Sequence, residues 1–191
     1  MLEILSPVRL LGLPGSLRKA SFSRATLIGL RDNLPEKVTL DIYEPLLPLY
    51  NEDDDRSNGP EQVLKFRDAI KNSDGIVIVT PEYNHGVPGV LKNALDWASR
   101  PFGRSVLVKK PTLAISVSPA FTGGVRAHAQ INETLLAIPA LVAGGLQVVI
   151  GNIGEKVADG VLVDPPSLHF ALAALRQMIS VCRLSSSRLI A

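Results

Sequence analysis

The chain has 191 residues, 46% hydrophobic and 20% charged, with a formal net charge of +2. Such apolar content at such low charge excludes a disordered chain, and the near-neutral balance gives no electrostatic reason to expect nucleic acid as a partner. The length suits one domain over residues 1–191, with a core that needs no staples.

In chain order, Val8–Leu13 is a short apolar run, read as a strand. Ser23 is placed to cap a helix reaching about Asn33, with Leu27, Leu30 and Leu34 on one face and Pro35 as the stop. Val38–Tyr43 alternates: Val38, Leu40 and Ile42 fall on one side, Thr39 and Asp41 on the other. That is the pattern of a half-exposed strand, expected at a sheet edge. The acidic stretch Asn51–Gly59 reads as a surface loop. Val63, Phe66 and Ile70 then recur at helical spacing until Asp74-Gly75 breaks the pattern. Ile76–Val79 is continuously apolar, as in a strand buried on both faces.

Pro88 is suited to the first turn of the next helix, whose core side takes Val90 or Leu91, Ala94 or Leu95, and Ala98. Leu113–Val117 is a second buried-type strand. A helix follows from Val125 to Ile138, then a fifth strand, Leu146–Ile150. The last helix starts at Pro165-Pro166-Ser167 and carries Leu168, Leu172, Leu175, Ile179 and Cys182 at alternating spacings of four and three.

Strands and helices therefore alternate, which implies a parallel sheet with helices on both faces. Right-handed crossovers and an edge position for the second strand give an α/β three-layer sandwich, its five strands in the order 2-1-3-4-5.

Charge is unevenly spread. Residues 1–110 carry 29 of the 38 formal charges, and Thr134–Gly154 carries none. A membrane span is a poor reading of that run, because Pro139, Gly144, Gly145 and Gln147 interrupt it and Glu133 and Glu155 flank it. A buried helix end, a turn and a strand explain it better, with part of the run at a contact between subunits. Cys182 is the only cysteine, so no disulfide framework or Cys-rich zinc site is expected. Met1–Leu13 lacks the pattern of a secretory leader. A reducing compartment, the cytoplasm, is the expectation.

Ligands of such a sheet bind beyond the carboxyl ends of the strands where the strand order reverses. That places weight on the loops after Leu13 and Thr80. The first reads Pro14-Gly15-Ser16-Leu17-Arg18-Lys19-Ala20-Ser21-Phe22-Ser23 and runs straight into a helix. Hydroxyls, backbone N–H groups and an arginine fork at a helix N-terminus suit a phosphate monoester. Gly15 lets the backbone come close. The loop is neither Gly-Lys-Ser/Thr nor G-x-G-x-x-G, which argues against a P-loop or a standard dinucleotide site.

The second loop, Pro81-Glu82-Tyr83-Asn84-His85-Gly86-Val87-Pro88-Gly89, is irregular and suits a flat heterocycle. Tyr83 can stack, Asn84 donates and accepts, and Glu82 is a base or salt-bridge candidate. The loop from Ser116 to Gly124 follows the fourth strand and closes one side. His85, His128 and His169 read as polar loop, surface or interface positions. Trp97 and Cys182 read as core or interface.

GSLRKASFS after the first strand, PEYNHGVPGVLKNALDW after the third, and GGVRA at Gly123–Ala127 together resemble the NADPH-dependent FMN reductase family of flavodoxin-like proteins. The resemblance covers about Val8 to Leu136. It implies FMN as cofactor and NADPH or NADH as co-substrate. It also implies a small-molecule electron acceptor such as a quinone, chromate or an azo dye. Ser16, Arg18, Ser21, Phe22 and Ser23 would hold the FMN phosphate. Pro81, Glu82, Tyr83 and Asn84 would wrap the ribityl chain and ring, with Ser116 beside the ring. The family often has Asn where Ser23 stands and Ser where Gly86 stands. It forms dimers or tetramers, so a homodimer or homotetramer is expected.

The flavin would carry the chemistry, so no protein nucleophile or metal is needed, and no G-x-S-x-G, H-E-x-x-H or His/Cys cluster occurs. A non-enzymatic electron carrier and a flavin-free binding module are the rival readings. Near-neutral charge and Arg18 count against the first, and Arg18 inside the loop against the second.

Overall fold

The computed structural model describes residues 6–55, 59–143 and 145–187. Positions 1–5 of the N-terminal stretch, 56–58 of the expected acidic loop and Gly144 of the uncharged run lie outside the described residues. The elements run β1 (Val8–Pro14), α1 (Phe22–Arg31), β2 (Val38–Ile42), α2 (Glu52–Asp55), α3 (Glu61–Lys71), β3 (Gly75–Pro81), α4 (Gly89–Ala98) and β4 (Pro111–Val117). They continue with α5 (Val125–Ala137), β5 (Leu141–Val142), β6 (Val148–Ile150), a 3-10 turn at Ile153–Glu155, β7 (Val157–Ala158), β8 (Val161–Leu162) and α6 (Pro165–Ser187).

The main sheet is parallel in the order β2-β1-β3-β4-β5, with β6 also paired to β4. β3 shows why its apolar run is continuous. Val77 and Val79 enter the core layer shared with Leu27, Leu30, Leu175 and Ile179. Ile76 and Ile78, half a pleat away, enter the layer of Phe66, Ile70, Leu91 and Leu95. Alternate side chains of one strand thus feed two layers of helices. β2, with exposed Thr39 and Asp41, is the edge strand its alternation foretells.

The fifth strand differs from expectation. β5 pairs Leu141–Val142 with Pro111–Thr112, and β6 pairs Val148–Ile150 with Ile115–Val117. Six steps, 142 to 148, thus oppose three, 112 to 115, so β5 and β6 pair with β4 as two separate segments. The uncharged run is correspondingly divided. Leu135, Val148, Ile150 and Ile153 are buried, whereas Leu136, Leu141, Val142 and Leu146 are exposed.

Helix starts are also corrected. Ser21, not Ser23, caps α1: its backbone is extended and its Oγ accepts from Arg24 N at 3.3 Å. Pro88 stands just before α4 rather than inside it. α6 buries Ala171, Ala174 and Met178 beside Leu175, Ile179 and Cys182. Leu168 and Leu172 are half-buried at the margin of that face. The β7–β8 hairpin lies outside the expected strands. Its turn residues Asp159 and Gly160 have φ of 50° and 76°, and Asp-Gly is a strong signal for such a tight turn.

His128 is no surface residue. It is 3% exposed, with Asn132 Nδ2 3.1 Å from its Nδ1, and burial pushes its pKa down. Trp97 is core, and its Nε1 donates to the Pro48 carbonyl at 2.8 Å. Burial pushes the Cys182 thiol up to about 11, so the cysteine is a packing group rather than a nucleophile.

Candidate functional site

Three loops meet beyond the carboxyl ends of β1, β3 and β4, where the strand order reverses. They enclose a cleft of about 250 Å³. Ser16, Arg18, Phe22 and Ser23 line it from the first loop, and Pro81, Glu82 and Tyr83 from the second. The third loop contributes Val117, Ser118 and Pro119.

The first loop folds against β3 rather than leaving room at Gly15. Gly15 N donates to the Val79 carbonyl at 2.8 Å, and a Cβ there would stand 3.0 Å from Pro81 Cδ. The glycine therefore serves a contact between the two loops. Ser16 Oγ and Tyr83 Oη, 3.0 Å apart, tie the same loops by their side chains. Arg18 spends one guanidinium donor on the Ala20 carbonyl, at 3.1 Å. Its guanidinium carbon lies 5.4 Å from the centre of the Phe22 ring, a cation–π distance.

The first turn of α1 carries no acidic residue. Within it, Ser23 Oγ is buried and has no hydrogen-bond partner. A buried hydroxyl left unpaired is costly. Beside a helix N-terminus and an arginine, that vacant bond matches a phosphate oxygen.

Tyr83 opens a tight turn. It exchanges two backbone bonds of 3.0 Å with Gly86, across Asn84 and His85 with φ of 49° and 64°. Asn84 tolerates this left-handed region well. Its side chain is exposed at the tip of the turn. Tyr83 is 46% exposed, so its ring is half-covered and half-available at the cleft.

Three candidates stand outside the cleft lining. Ser21 is engaged as the helix cap and lines a neighbouring groove between α1 and the β7–β8 hairpin. Asn84 is at the turn tip. Ser116 Oγ is buried without a partner, and its Cβ lies near Gly124 at the start of α5.

The third loop was anticipated as a wall, but Val117, Ser118 and Pro119 form it rather than Ser116. Strand alternation is the signal that separates Ser116 from its neighbour Val117. Gly86 faces α5: a Cβ there would meet Gln130 Oε1 at 3.1 Å. Among the described residues, no group of His, Cys, Asp and Glu could hold a metal ion. Nor, among them, is any helix long and apolar enough to cross a membrane.

The chain resembles known proteins in both sequence and fold. Residues 8–155 match the NADPH-dependent FMN reductase family, so the match runs past Leu136, where the recognisable motifs end. A quinone reductase of Pseudomonas putida is 46% identical over 172 residues, covering 90% of this chain and 92% of the relative. An NAD(P)H-dependent FMN reductase of Pseudomonas aeruginosa is 33% identical over 159 residues, covering 82% and 85%. Among solved structures, FerB, a flavoenzyme NAD(P)H:(acceptor) oxidoreductase from Paracoccus denitrificans, superposes with a TM-score of 0.77. It is 30% identical, and the match covers 90% of this chain and 97% of FerB.

Proposed function

The chain belongs to the NADPH-dependent FMN reductase family, and on that premise we propose that this FMN-dependent NAD(P)H oxidoreductase delivers its electrons to a quinone or a similar small acceptor. Bound FMN would supply the hydride and electron-transfer chemistry. The protein binds, orients and screens.

The observation that carries the site assignment is the buried, partnerless Ser23 Oγ beside Arg18 at an acid-free helix start. In this reading Ser16, Arg18, Ser23 and the N–H groups of α1 hold the phosphate. Ser21 and Phe22 fix where that helix begins. Pro81 and Tyr83 frame the ribityl chain and ring, Glu82 lines the cleft beside them, and Asn84 shapes the turn that carries Tyr83. Ser116 supports the third loop from beneath, and Val117–Pro119 closes the far side. The Pseudomonas putida relative bears the name quinone reductase, which supports a quinone as acceptor.

One cleft serving donor and acceptor in turn requires that the oxidised nucleotide leave before the acceptor enters. Initial rates varied in both NADPH and a benzoquinone should therefore give parallel double-reciprocal lines. Lines that intersect, as when both substrates bind together, would contradict a shared cleft.

The same reading includes a homodimer or homotetramer. Leu136 is 67% exposed, and Leu141, Val142 and Leu146 lie bare on the β5–β6 side. Exposed apolar side chains gathered within one short stretch of chain support an association surface there. The single buried cysteine suits the reducing cytoplasm.

A further inference from the structure

Helix α5 starts after Gly124, which has φ of 80° and no side chain with which to cap it. A carboxylate from another loop takes that part. Glu82 Oε2 accepts from Arg126 N at 3.0 Å and from Ala127 N at 3.2 Å. The Glu82 side chain is 11% exposed. A Cβ on Gly124 would come within 3.3 Å of Glu82 Cβ, so the bare glycine lets the two loops close on each other. One turn further along α5, Gln130 Oε1 accepts from Val87 N at 3.0 Å. The segment from Glu82 to Val87 is thus clamped to α5 at both ends, and between the clamps lies the Tyr83–Gly86 turn. The other Glu82 oxygen, Oε1, has Arg126 Nη1 at 3.6 Å and His85 Nδ1 at 3.7 Å.

We propose that Glu82 is a positioning residue. Its carboxylate works through α5 to hold the tight turn, and so sets Tyr83 against the cleft, rather than moving a proton or gripping the flavin. This rests on the assignment of the cleft to FMN. The chemistry separates the two roles. Capping needs only an acceptor oxygen, which a glutamine amide still provides. Proton transfer needs the carboxylate itself.

The test compares Glu82→Gln, Glu82→Ala and Gln130→Ala with the parent protein. It uses FMN titration, amide hydrogen exchange at Arg126 and Ala127 in the flavin-free protein, and the pH profile of flavin reduction. Glu82→Ala should speed exchange at both amides about tenfold and weaken FMN binding about tenfold, the scale of one lost charge-assisted bond. Glu82→Gln should stay within about threefold on both counts and keep the parent's pH profile, because a neutral acceptor keeps about half the strength of a charge-assisted bond. Gln130→Ala should weaken FMN binding about threefold through the second clamp. If Glu82→Ala fails to fold, Glu82→Gln and Gln130→Ala carry the comparison.

The proposal is overturned if Glu82→Gln abolishes one limb of the pH profile. It is also overturned if Gln130→Ala and Glu82→Ala both leave FMN affinity unchanged. A parent protein that takes up no FMN would end the cofactor assignment, while amide exchange would still decide the clamp.

Discussion

Arg18→Ala should weaken FMN binding roughly 100-fold while leaving the fold intact. The guanidinium is the one permanent positive charge among the side chains lining the cleft. Two charge-assisted bonds to phosphate contribute about 3 kcal/mol, or two decades in Kd. The structural cost is small by comparison, since Arg18 is exposed and gives up a bond to the Ala20 carbonyl and its place over Phe22. Thermal unfolding of the flavin-free variant should therefore stay close to the parent's. Arg18→Lys restores the charge but not the planar fork, and should recover only part of the affinity. Equal FMN affinity in Arg18→Ala and parent would remove the phosphate site from the first loop.

Gly151→Ala should have the largest effect on stability. A Cβ on Gly151 would fall on the carbonyl group of Phe121, with the Phe121 Cα only 3.2 Å away. That obstacle is backbone and has no rotamer in which to retreat. Gly151 lies among three bonds that attach the third loop to the segment after β6. Ser118 N donates to Ile150 O at 3.1 Å, Asn152 N to Ala120 O at 3.3 Å, and Ile153 N to Ser118 O at 3.1 Å. A methyl forced between these strands of chain strains or breaks them, at a cost of about 2–3 kcal/mol. For a chain of this size, that lowers Tm by about 4–12 °C. FMN affinity should fall as well, because Val117–Pro119 is the wall that moves. Gly89→Ala is the control: no atom lies within 4 Å of its added Cβ, and its Tm should hold or rise.

How far the sequence foretells the fold depends on the range of the interactions involved. The runs that became β3 and β4 are mostly apolar because both faces of each are covered, a property visible in a window of seven residues. The alternation of Val38, Leu40 and Ile42 marks the edge strand for the same local reason. The split between β5 and β6 is not local. It is set by register against β4, and nothing between Leu141 and Ile150 announces which residues will leave the ladder.

The cleft shows the same division. Ser16, Arg18, Ser23 and Tyr83 sit where their loops place them. The direction of the Glu82 carboxylate, by contrast, depends on a helix start forty residues later. A trace of it is still present in the sequence, since Gly124 leaves α5 without a cap of its own. The burial of His128 is a local signal. With Ile131 and Leu135 the histidine continues the buried stripe of α5 at spacings of three and four.

On the proposed function, the cleft between the first, second and third loops holds FMN and presents it to a reduced nicotinamide. Anaerobic mixing of the FMN-loaded protein with NADPH, and separately with NADH, decides whether it does. Bleaching of the flavin absorbance band within a single turnover by at least one of the two nucleotides is the predicted result. A protein that takes up no added FMN, or whose bound flavin stays oxidised with both nucleotides, is not an FMN-dependent reductase working through this cleft.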